Sequence, residues 1–136
     1  MKIINKEIDI KTSSRMEIID ISSKISEILD ASGLKQGIIN IFTRHSTSAV
    51  VINENEPRLI NDFENFLKEI ISENKSYCHN AIDNNADSHL RSFLLGTGQS
   101  VPFENYKMDL GTWQSIFFVE LDGPRNRKVK ITIIGE

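Results

Sequence analysis

A chain of 136 residues with a formal charge of −3 and one cysteine is long enough to bury about two-thirds of its unfolded surface in a single core. A lone Cys78 excludes a disulfide scaffold within the chain and fits a reducing compartment. Net negative charge argues against nucleic acid as the partner, no run nears the ~20 apolar residues of a membrane span, and Met1 opens no signal-peptide core. The expectation is one domain over residues 1–136, cytoplasmic, binding neither nucleic acid nor membrane.

Residues 2–11 carry isoleucine at 4, 8 and 10 among polar residues and are predicted as a half-exposed strand; residues 15–21 form a second. Ser22 or Ser23 can cap a helix to residue 32, with Ile25, Ile28 and Leu29 on one face and Gly33 as its stop. Residues 37–43 are apolar and β-branched, hence a buried strand. The polar run Arg44-His45-Ser46-Thr47-Ser48 separates it from another strand over 49–52. Pro57 starts a helix to about residue 71, in which Leu59, Ile60, Phe63, Phe66, Leu67 and Ile70 make one stripe predicted to lie on the sheet.

Residues 73–87 are polar, and a connection this long inside a compact domain usually serves a function. A short helix from His89 to Leu95 follows, then a hairpin of residues 100–103 and 107–110. The stretch 112–121 is apolar on both faces in its middle, which predicts an interior strand with Trp113 and Gln114 on opposite sides. Asp122-Gly123-Pro124 turns the chain into a last strand over 128–134. This order predicts an α+β fold, a mostly antiparallel mixed sheet with two main helices packed on it.

Several residue groups carry chemistry. His45, His79 and His89 all stand where the chain leaves an apolar element, so they suit an open metal site or acid–base work, or simply hold their loops by hydrogen bonds. Glu54 reads as a base or metal-supporting acceptor beside His45, or, with Asn53 and Asn55, as a helix cap. Arg125 and Arg127 would present two guanidinium forks on one face of an extended segment, suited to phosphate or pyrophosphate. The alternative is ion pairs to Glu120 or Asp122.

Taken in order, His45-Ser46-Thr47, Asn53-Glu54-Asn55-Glu56, Asp62, Tyr77 with His79, Asn85-Ala86, His89-Leu90, Gly96, Val101-Pro102, Leu110-Gly111-Thr112-Trp113-Gln114 and Glu120-Leu121-Asp122-Gly123-Pro124-Arg125 with Arg127 closely resemble the YjbQ family, described as secondary thiamine-phosphate synthases. The resemblance implies an α+β homotrimer that joins a hydroxymethylpyrimidine pyrophosphate to a thiazole phosphate with release of pyrophosphate. On this basis His45, Glu54, His79, His89, Gln114 and Arg125 are expected to be catalytic. Ser46, Thr47, Arg91, Arg125 and Arg127 are expected to bind phosphate, and His45, His79 and His89 a divalent metal, Mg²⁺ or Zn²⁺. The alternatives are a metal-assisted hydrolase of a small phosphorylated metabolite and a non-catalytic trimer that binds one.

Overall fold

The computed structural model describes residues 1–136. Eight strands and three helices follow one another as β1 (Lys2–Lys11), β2 (Glu17–Asp20), α1 (Ser22–Ser32), β3 (Gly37–Thr43), β4 (Ser48–Asn53), α2 (Pro57–Ile70), α3 (Ala86–Leu95), β5 (Gly98–Glu104), β6 (Lys107–Met108), β7 (Ser115–Glu120) and β8 (Asn126–Gly135), with a 3-10 turn at Cys78–Ala81. The α+β class read from the sequence holds. The strands are divided between two sheets, ordered β1-β8-β3-β5-β6 and β2-β7-β4, and every pairing is antiparallel.

Alternation explains the layering. In the larger sheet Ile8, Ile10, Ile39, Ile41, Val101, Phe103, Val129, Ile131 and Ile133 are all buried on one face, as period-two patterning requires. They meet Val50, Ile116 and Phe118 of the smaller sheet, while Ile25 and Leu29 of α1 join the same core. Strand β7 is apolar on its second face too: Val119 clusters with Ala49 and Leu121, against Phe63 of α2 and Leu95 of the α3 terminus. The order of layers is therefore large sheet, small sheet, then α2 and α3, with α1 packed into the core that the large sheet faces.

Local chemistry sets the helix ends, in places differently from expectation. Gly33 takes the left-handed conformation (φ 69°) that stops α1. Neither Ser22 nor Ser23 caps α1; Asp20 accepts the Ser22 N–H at 2.9 Å, and the Ser22 hydroxyl accepts the Ile116 N–H at 2.8 Å and ties the helix to β7. Glu56 caps α2 by accepting the Leu59 N–H at 2.6 Å, ahead of Pro57 at the first helical position. Asn53, Glu54 and Asn55 are thus free of the capping role the sequence allowed them.

Two further expectations change. Strand β7 begins at Ser115, so Trp113 sits in the preceding turn, 72% exposed. Of the α2 stripe only Leu67 is fully buried; Leu59, Phe66 and Ile70 keep much of their surface in contact with solvent. Since Phe118 is wholly enclosed at the centre of the main core, Phe118→Ala is expected to cost about 3–5 kcal/mol, read as a lower urea midpoint with an unchanged slope.

Candidate functional site

One buried ion pair organises the polar end of the smaller sheet. Alternation puts Glu120 on the core-facing side of β7 with Ile116 and Phe118, and puts Arg127 on the core-facing side of β8 with Val129 and Ile131. Glu120 is 0% exposed and Arg127 5%. The Arg127 Nε donates to both Glu120 oxygens at 2.9 and 3.1 Å, and an Nη donates to the Thr47 hydroxyl at 2.9 Å. Thr12, continuing the inward register of Ile8 and Ile10, donates to Glu120 Oε1 at 2.7 Å, and the Leu121 and Asp122 N–H groups donate to Oε2. Gly123 is required here because a Cβ would meet Glu120 Cγ and Thr12 Oγ1, each at 2.8 Å.

Burial alone would push the Glu120 carboxyl up, but the bonds from Arg127, Thr12 and the Asp122 N–H outweigh it and hold the group below the ordinary glutamate value of 4.5. Burial and the Arg127 guanidinium push His45 below its ordinary value. Its Nε2 accepts the Lys128 N–H at 3.1 Å, which fits a neutral ring with the proton on Nδ1.

Around this pair the chain gathers most of the expected residues. Ser88 donates to the Leu121 carbonyl and Ser92 to the Ser48 carbonyl, which seats α3 across the end of the sheet. His89 on that helix lies edge-to-face with His79 of the 3-10 turn, ring centres 4.9 Å apart. Asp122 accepts from Asn85 Nδ2 at 2.9 Å and from an Arg125 Nη at 3.0 Å. Arg125 also donates from Nε to the Asp122 carbonyl, and its second Nη has no partner. Asn85 Oδ1 is buried without a donor; the bond from Nδ2 to Asp122 fixes which way the amide faces.

The arginines divide by role, which corrects the expectation for two of them. Arg127 is consumed by Glu120 and Thr47. Arg91, 3% exposed, donates to Asp87 at 2.7 Å and to the Ile71 and Leu67 carbonyls, closing the last turn of α2. Neither can take a phosphate. The ion pairs that were the alternative for Arg125 and Arg127 do form, Arg127 with Glu120 and Arg125 with Asp122. Arg125 lies in the turn ahead of β8 and is exposed, so the two forks do not share a face. Thr47 is buried, whereas Ser46 beside it is exposed.

Glu54 and Gln114 stand elsewhere. Ser48 pairs with Glu120 at one end of the β4–β7 ladder and Asn53 with Ser115 at the other, roughly 17 Å away at strand spacing. Gln114 uses its side-chain oxygen to accept the Gly111 N–H and closes a turn. A three-histidine metal centre does not fit within one chain: the His45 Nε2 lone pair is taken, and no group of three or more His, Cys, Asp or Glu side chains could hold an ion.

Sequence reasoning missed Arg15, which pairs with Glu73 and Asp87 and lies 3.9 Å from Asp122; nothing local marks it. Thr12 was legible in principle as the next inward position after Ile10. Breaking the central pair should uncover its contribution. Glu120→Gln is expected to lose about 3 kcal/mol at pH 7 by leaving Arg127 buried and unpaired. A carboxyl held low stabilises the fold above its unfolded value, and this is lost as pH falls through the folded value. The gap between native and variant in urea titrations should therefore narrow below pH 4.5.

The model of the family described as UPF0047 protein YjbQ-like matches residues 6–136. A UPF0047 protein of Methanothermobacter thermautotrophicus is 56% identical, with 100% of this chain and 95% of that one aligned. The YugU protein of Bacillus subtilis is 36% identical over 96% of this chain and 98% of its own. A crystal structure from Sulfolobus solfataricus, titled a YbjQ-like protein of unknown function, superposes with a TM-score of 0.97 at 41% identity, covering 99% of each chain. The chain belongs to the UPF0047, YjbQ-like family.

Proposed function

We propose that the polar end of the smaller sheet binds a small phosphorylated metabolite and that the protein is a transferase of the thiamine-phosphate synthase type. The observation that carries this reading is Arg125, an exposed guanidinium held by Asp122 on one edge and unpartnered on the other. A cation fixed in this way presents donors to an incoming anion without first having to be ordered. The exposed Ser46 precedes the Thr47 that Arg127 holds, and His79 and His89, in contact with each other, flank the Asn85 that binds Asp122.

In such a reaction the thiazole nitrogen forms a bond to the methylene carbon of the pyrimidine as the carbon–oxygen bond to pyrophosphate breaks. The pyrophosphate leaves with the bonding electrons. The attacking ring nitrogen carries no proton, so no base is needed at that step. What the protein must supply is positive charge where the leaving oxygens gain negative charge. Arg125 supplies it, and a histidine of the 79–89 pair can donate a proton to the departing group.

The reading includes assembly as a homotrimer. It is supported by apolar side chains on α2 and α3 that a single chain leaves in water, with Phe93 at 85% and Leu94 at 59% exposure beside Ile70 and Leu90. Contiguous apolar surface on this scale marks an interface.

Arg125→Ala is expected to lower thiamine-phosphate formation from the two substrates about 10- to 100-fold while leaving the thermal melt unchanged. Arg91→Ala should instead lower the melting temperature, since it strips the end of α2. Saturable binding of a phosphate ester without turnover would replace the transferase with a non-catalytic binder, and phosphate release from a single substrate would replace it with a hydrolase. For assembly, light scattering should give three times the 15.5 kDa chain mass, and Phe93→Asp should return it to that of one chain.

A further inference from the structure

At the far end of the smaller sheet, under α2, lies a cleft of ≈ 200 Å³ that the site above does not use. Seven of its nine lining residues are apolar, among them Phe63 of α2, Val51 and Phe117 of the sheet, and Leu95 at the end of α3; the polar pair is Asn53 and Glu54. An apolar cavity of about 150 Å³ holds one benzene ring. This cleft therefore fits one ring with a short substituent, and a nucleotide or fused cofactor would need the larger volume of about 300–1,000 Å³ usual for such ligands.

Glu54 decides what kind of ring. Its neighbours do not compete for that role: Asp20 accepts from Asn55 and from the Ser22 N–H, Glu56 accepts from Leu59 and Arg58, and Asp62 is exposed on α2 and does not line the cleft. The carboxylate of Glu54 has neither hydrogen bond nor ion pair, although the residue is half-buried; Asn53 spends its side-chain oxygen on the Glu54 N–H at 2.8 Å. An uncommitted negative charge on an apolar wall attracts a cation and repels a phosphate ester.

We propose that this cleft binds a small organic cation built on one apolar ring, with the ring between Phe63 and Phe117 and the charge against Glu54. The proposal does not depend on the transferase reading, because the two sites lie at opposite ends of the β4–β7 ladder.

The test titrates the full-length protein, methyl-labelled for NMR, with benzylammonium, benzyl alcohol and benzoate. Saturable shifts are expected at the Leu59, Ile60 and Leu95 methyls with benzylammonium, weaker ones with the alcohol and none with benzoate. Glu54→Gln should weaken benzylammonium about fivefold, the effect of one partly exposed ion pair, and leave the alcohol as it was. Leu59→Trp, which fills the cleft from its exposed side, should abolish both, and Arg125→Ala should change neither. Silent methyls, benzoate binding as well as benzylammonium, or Glu54→Gln without effect would each overturn the assignment. So would methyl shifts that follow protein concentration instead of the probe, which would give the cleft to a second copy of the chain.

Discussion

The contact between Arg127 and Glu120 joins the two sheets at the end where they would otherwise part. One partner comes from each sheet, and Thr12 and Thr47 complete the hydrogen bonding from the residue after β1 and from the turn ahead of β4. Burying two charges is costly, and it is tolerable only where nearly every lone pair and proton finds a partner. Here that condition also fixes the neighbourhood. Asp122 follows Glu120 by two residues and Lys128 follows Arg127 by one, so the backbone that serves the pair also orients Arg125 and holds the His45 ring.

The smaller sheet, covered on both faces, separates two chemical environments. Its Ser48–Glu120 end gathers cations and imidazoles; its Asn53–Ser115 end carries uncharged amides, a carboxylate without a partner and an apolar cleft. The strand between them is dry because Phe117 and Val119 face the helices while Ile116 and Phe118 face the larger sheet. A sheet in this position cannot host polar chemistry along its length and leaves it to the two ends.

Helix α2 shows the same economy from another side. Its C-terminal carbonyls are closed by Arg91 from α3, so its polar ends are satisfied within the chain. Much of its apolar stripe is not covered. Its position is therefore fixed by hydrogen bonds at one end and Phe63 in the middle, which leaves room for the cleft on one flank and for a neighbouring surface on the other.

Period-two alternation in residues 2–11, 37–43 and 128–134 determined those strands and their buried faces, because a pleated strand sends every second side chain to the same side. Gly33 stopping α1 and Pro57 starting α2 were equally local. So was the grouping of His45, Asp122 and Arg125 into motifs. What only the tertiary structure decided is the pairing of residues remote in sequence. Thr12 meets Glu120 across 108 positions and Arg15 meets Asp87 across 72, and no local periodicity encodes such a distance. For the same reason residue type marked Arg91, Arg125 and Arg127 as equivalent, and burial separated them: a guanidinium enclosed with a carboxylate and carbonyls is part of the scaffold, and only the one left facing water can receive a ligand.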